Sequence, residues 1–236
     1  MVGADFPKIE FQMFNMELLE PMAIITDTIL GFWSIYLGYK VIKLKKQLSF
    51  YKYWTLFFVF FGVGAFWGGI GHTFFNQMGI TGKIPSWLMG PISIYFLEKA
   101  MISIHWDKSL AKKLQQISNF KLLIVLIAFF YLLITVGYPQ QNNTPFLPVA
   151  INTIVGVVST AGILGFKYTE KLSAKFKFFW LGVLILLPTA FIFLLKINIH
   201  QWFDKNDFSH VLFTIGITYF YLGVSNIAKG LKQSLI

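Results

Sequence analysis

Seven long runs of mostly apolar side chains divide this chain, and they constrain its fold more than any other feature. They cover approximately residues 21–42, 53–75, 87–106, 120–138, 147–168, 176–198 and 208–228. Each run is about 18 to 25 residues long, which at 1.5 Å per residue crosses the roughly 30 Å of bilayer hydrocarbon. Inside hydrocarbon each segment must satisfy its own backbone amides, so runs of this kind form helices. The expected fold is all-α: a polytopic membrane protein in which residues 1–236 form a single seven-helix transmembrane domain with no internal repeat. Composition agrees, with 56% hydrophobic and only 13% charged residues. The chain has no cysteine, so disulfides, thiolate metal sites and cysteine nucleophiles are excluded.

The basic residues, all of them lysine, sort by loop. Lys40, Lys43, Lys45, Lys46 and Lys52 crowd the first loop; Lys108, Lys112, Lys113 and Lys121 the third; Lys167, Lys171, Lys175 and Lys177 the fifth. Lys229 and Lys232 follow the last span, while the second, fourth and sixth loops hold little positive charge. The positive-inside bias then places the N-terminus outside and the C-terminus in the cytoplasm. The formal charge of +10 therefore reads as topology and contact with anionic lipid, not as nucleic-acid binding. The first 20 residues carry four acidic groups and no apolar core flanked by basic residues, so the first span is expected to act as its own insertion signal. Trp54, Trp87, Trp106 and Trp202 fall near span ends and read as interfacial anchors.

Polar groups inside spans are costly, on the order of 2.5–3.5 kcal/mol for a charge, and so mark function. Asp27 lies too deep in span 1 to cap a helix end. In span 2, Gly64, Gly68 and His72 share one face at four-residue spacing. Span 7 carries a stripe of Asp207, His210, Thr214, Thr218, Tyr221 and Ser225. The expected topology brings Asp27, His72, Asp207 and His210 to one depth near the outer side, with His200 in the adjoining loop. Two imidazoles and two carboxylates suit zinc or another divalent ion, with a bound water as nucleophile. His72, His210, Asp207 and His200 are the candidate metal ligands, and Asp27 and Asp207 the candidate catalytic carboxylates. The bland alternatives are helix-packing histidines and an N-cap formed by Asn206 or Asp207. Glu98 reads as an interior polar anchor sharing a face with His105; Lys99 has no assigned role; Pro188 is expected to kink span 6. Span 4, almost wholly apolar, reads as peripheral scaffold.

Glu20, Thr26 and Asp27 entering span 1, Gly68 and His72 in span 2, and Asn206, Asp207 and His210 opening span 7 together resemble the alkaline ceramidase and adiponectin-receptor (CREST) superfamily, in particular its uncharacterised bacterial members. The resemblance implies a zinc-dependent hydrolase of lipid amides, acting on a lipid or small amphipathic substrate in a bacterial cytoplasmic membrane. Three departures stand against it. Gly68 replaces the serine four residues before the span-2 histidine, Asn206 replaces a histidine four before His210, and the second loop lacks an aspartate. The competing expectation is a non-enzymatic membrane sensor, ligand-binding protein or transporter that keeps the fold without the metal. A retinal protein fits poorly, because span 7 has no central lysine. Nothing in the sequence fixes the oligomeric state.

Overall fold

A computed structural model describes residues 6–13 and 15–230. Seven long helices run in chain order: α1 (Pro21–Ile42), α2 (Ser49–Thr73), α3 (Ile84–Ser103), α4 (Lys108–Gln140), α5 (Phe146–Lys171), α6 (Lys177–Leu194) and α7 (Lys205–Gly230). Six of the seven are long and apolar enough to cross a membrane, and α3 is the one that falls short. The chain is thus a helical, multi-pass membrane protein by length and composition. The helix bounds follow the apolar runs closely, except that α4 begins well before residue 120.

α1 packs on α2, α2 on α3, α3 on α5, α5 on α6, α6 on α7 and α7 back on α1, which closes a ring of six helices. α4 lies outside the ring against α3 and α5, and only 22% of its apolar stretch is buried, in keeping with a peripheral scaffold. Lipid tails are as apolar as leucine, so close packing rather than transfer out of water holds such helices together. At the α1–α2 crossing a Cβ on Gly62 would stand 2.7 Å from the Gly31 carbonyl oxygen, so only glycine lets the two backbones meet there. One half of the ring is filled with aromatic side chains. Trp54 stacks on Phe179 at 5.1 Å between centroids, with Phe50, Phe57, Phe58 and Phe220 around them.

Trp54 is therefore core rather than interfacial anchor, fully enclosed at 0% exposure, and Trp87 at 8% is also interior. Trp106 and Trp202, at 41% and 51%, do sit at the surface. The difference is one of helix face: an indole near a span end turns inward when its stripe faces the ring.

α5 contains π-helical turns over Val157–Leu164, with Thr160 donating its hydroxyl to the Gly156 carbonyl. α6 continues as a helix through Pro188. Before α1 the chain forms a small antiparallel hairpin, β1 (Glu10–Met13) with β2 (Met16–Leu19), in which Met13 pairs with Met16. The hairpin is anchored because Leu18 and Leu19 are buried, and because Gln77 donates to the Glu17 carbonyl across the end of α2.

Candidate functional site

The non-aromatic end of the ring holds the polar groups singled out from sequence. α1 contributes Thr26 and Asp27, α2 contributes Gly68 and His72, and α7 contributes Asp207 and His210. Asp27 is 4% exposed, and its Oδ1 lies 3.3 Å from His210 Nε2. The other ring nitrogen of His210, Nδ1, is 2.8 Å from Thr26 Oγ1, which in turn donates to Asp207 Oδ1 at 2.9 Å. His72 turns its Nδ1 away from this chain toward Glu20 Oε2, at 2.6 Å.

The chain from Asp27 through His210 and Thr26 to Asp207 has three links, and each needs one hydrogen. A neutral imidazole supplies one and the threonine hydroxyl another. With that neutral imidazole and both aspartates ionised one link is left without a hydrogen, which a second proton on His210 or an incoming donor supplies. The hydroxyl also lies 3.0 Å from the Met22 carbonyl, which competes for its proton. The cluster is thus built short of a proton or a donor. A buried carboxylate in that condition is expensive unless a cation or a hydrogen-bond donor joins it.

Asp207 has a second task. Asp204 caps α7, accepting from the amides of Asn206 at 2.6 Å and Asp207 at 3.3 Å, while Asp207 Oδ2 accepts from the Asp204 amide at 3.1 Å. This reciprocal capping box corrects the expectation that Asn206 or Asp207 is the cap: the cap is Asp204, and Asp207 is the residue that reaches back. The spacing Asp204-x-x-Asp207 is the sequence signal that could have located it.

Outside the spans, burial opposes ionisation of Glu20, but the hydrogen bond and charge of His72 and the nearby Lys8 outweigh it and hold its carboxyl down at about 2. Lys8 Nζ stands 2.9 Å from Glu20 Oε1. Lys83, buried beside the Phe75 ring and donating to Asn143 Oδ1 at 3.2 Å, is pushed down to about 8 by burial, with Lys8 adding to the fall and Glu20 opposing it. A small opening lined by Lys8, Glu20, Gln201, Trp202, Asp204 and Asp207 touches the cluster at Asp207.

Sequence reasoning missed Ser86. A Cβ on Gly68 would lie 3.1 Å from Asp27 Oδ2 and 3.3 Å from Ser86 Oγ, so the space cleared by this glycine is shared by a carboxylate of α1 and a hydroxyl from α3. No local pattern marks Ser86, because only the α2–α3 packing brings it there.

His200 is not part of the cluster. It is an exposed loop residue that pairs with Phe203 and accepts the Trp202 amide on Nδ1 at 3.1 Å. Among the described residues no three His, Asp or Glu side chains are gathered closely enough to share a metal ion. His72 is engaged by Glu20, and His210 by Thr26 and Asp27, so the donor set does not fit the three protein ligands that a catalytic zinc requires.

Deeper in the molecule, Glu98 pairs with Lys121 of α4 and accepts from Ser118 Oγ at 2.5 Å. Lys121, counted from sequence among the loop lysines, is therefore an interior partner. Lys99 Nζ donates to the Gln115 carbonyl at 3.2 Å and lies over the Tyr95 ring. His105 does not join Glu98; its Nδ1 accepts the Asp107 amide at 3.0 Å.

No curated protein and no solved structure matches the chain. Residues 22–229, which run from the start of α1 to the end of α7 and include Thr26, Asp27, His72, Asp207 and His210, match a family of unknown function (DUF6962), and the chain belongs to that family.

Proposed function

We propose that this chain is a seven-span membrane protein, α3 included, with its N-terminus on the outer side, and that it is a ligand-binding protein, sensor or carrier, whose outward-facing site works without a metal. The lysine-rich odd-numbered loops support the orientation. On this reading the chain keeps the helix arrangement of the CREST superfamily while its polar cluster has another use. One observation carries it: Asp27 is buried with His210 as its one ion-pair or hydrogen-bond partner among the described residues, in a cluster that is one hydrogen short while His210 is neutral. The chemistry that completes such a cluster is a small hydrogen-bond-donating cation, an ammonium group for example, entering past Glu20 and Asp207.

The test is a thermal unfolding midpoint in detergent, titrated with ethanolamine and with spermidine beside metal analysis of the same preparation. The midpoint rises with amine in the wild type, since a ligand that binds only the folded state stabilises it. It does not rise in Asp27→Asn. Stoichiometric zinc that disappears in both His72→Ala and His210→Ala would overturn this reading in favour of a zinc-dependent lipid amide hydrolase. Ser86 Oγ, standing where a Gly68 side chain would point, is the observation that favours that second reading.

A further inference from the structure

A second concave feature lies far from the polar cluster, on the outer face of the ring between α5 and α6. It encloses about 320 Å³ and is lined by apolar side chains, among them Ile163 and Phe166 of α5 and Leu184 of α6, with Gly162 on its floor and one charged residue, Lys167, at its end. A Cβ on Gly162 would touch nothing closer than 3.6 Å, so the groove is open there. Two donors at this end lack partners. Lys167 has no ion pair, hydrogen bond or ring contact among the described residues, whereas its neighbours Lys171 and Lys177 lie over the rings of Trp106 and Phe178. Trp180, also lining the groove, keeps a buried indole N–H without an acceptor.

We infer that this groove is a binding site for one anionic phospholipid, with an acyl chain along Gly162, Ile163 and Leu184 and the phosphate on Lys167. Charge and shape both select this occupant. The groove faces hydrocarbon, so an acyl chain is the apolar material available to it. The free ammonium stands at the end of α5 that meets the headgroups, and the loop that follows adds Lys171, Lys175 and Lys177 to the local field. An ester or phosphate oxygen is the acceptor that a bilayer offers the Trp180 N–H. The assignment to the cytoplasmic leaflet, where anionic lipid is concentrated, rests on the orientation proposed above. The binding itself does not.

The experiment is native mass spectrometry of the full-length protein in detergent, titrated with phosphatidylglycerol and, separately, with phosphatidylcholine of the same acyl chains. Wild type retains phosphatidylglycerol more tightly. Lys167→Ala lowers that affinity about five-fold, to the phosphatidylcholine level, as expected for one lysine–headgroup contact. Lys112→Ala, on the exposed side of α4, leaves it unchanged. Gly162→Leu fills the floor and weakens both lipids; where that variant does not fold, Leu184→Trp blocks the same groove from its exposed rim. Equal retention of the two lipids by wild type, or an undiminished preference in Lys167→Ala, overturns the site. Because the measurement is made in detergent, an inverted orientation would leave its outcome intact and show only in labelling of sealed cells.

Discussion

Among the buried carboxylates of this membrane protein, two have opposite surroundings. Glu98 on α3 is met by the Lys121 ammonium and the Ser118 hydroxyl, both from α4. Asp27 on α1 has the edge of His210 at 3.3 Å and no second hydrogen-bond or ion-pair partner among the described residues. The first is complete within the chain, so its charge is spent on fixing α4 against the ring. The second is incomplete, and an incomplete buried charge is retained only where something else joins it. The same residue class thus serves architecture in one place and recognition in the other, and the deciding quantity is whether the neighbouring helix supplies a donor.

The largest effect is expected where the pairing is complete. Glu98→Gln strands the Lys121 ammonium and costs about 3 kcal/mol, at the low end for a broken buried pair because Lys121 remains 23% exposed. Urea or thermal unfolding in detergent measures this, and the double variant Glu98→Gln with Lys121→Met recovers most of the loss. A single variant as stable as wild type would erase the contrast with Asp27.

Next comes Glu20. Its folded-state value near 2 lies below the usual 4.5, so its pairing with His72 and Lys8 stabilises the fold above pH 4.5 and that contribution is lost as pH falls toward 2. Solvent around Lys8, which is 44% exposed, reduces the effect to about 2 kcal/mol. The unfolding midpoint of wild type should therefore drop across this window and that of Glu20→Gln should stay flat. A parallel drop in both would show that the hairpin is held by Leu18 and Leu19 instead.

Asp207→Asn is expected to cost less than about 1 kcal/mol, since the asparagine oxygen still accepts one of the two hydrogen bonds, from the Asp204 amide or from Thr26. Its response to amine weakens without vanishing. Smallest in stability, and most telling, is Asp27→Asn: no loss or a slight gain in midpoint, because a neutral amide is easier to bury, together with complete loss of the amine response. Should Asp27→Asn destabilise as strongly as Glu98→Gln, Asp27 is paired after all and the comparison fails.

How much of this was legible beforehand follows from which interactions are local. The seven helices could be read because apolar length is a property of contiguous residues, and even the weaker α3 is bounded by its loops. Asp27, His72, Asp207 and His210 could be placed at one end because topology fixes depth, but their pairings could not: Thr26 as the bridge and Ser86 opposite Gly68 depend on helix rotation, which periodicity gives only coarsely. Trp54 and Trp106 look alike in sequence, since an indole suits a headgroup layer and an aromatic core equally well, and only the ring of neighbours separates them. Lys121 looked like a loop cation because α4 begins earlier than its apolar run, over the polar stretch Lys108–Asn119. The hairpin before α1 is signalled in sequence by little more than Asn15, which takes the left-handed conformation between Met13 and Met16 (φ 59°).

The π-helical turns of α5 bring a different consequence. For each residue that such a widened segment takes in beyond the α-helical count, the part after Leu164 is rotated by about 100° relative to an uninterrupted helix. That rotation is what carries Tyr168 inward, where its hydroxyl donates to the Met101 carbonyl at 2.8 Å. α5 therefore stores a spare residue: deleting one position between Val157 and Leu164 would tighten the coil without breaking it, swing Tyr168 toward the lipid, and present a new stripe to α3. A helix of this kind changes its facing by a step rather than by degrees, which makes the length of this segment, more than the identity of its side chains, the quantity to watch when other members of the family are aligned with this chain.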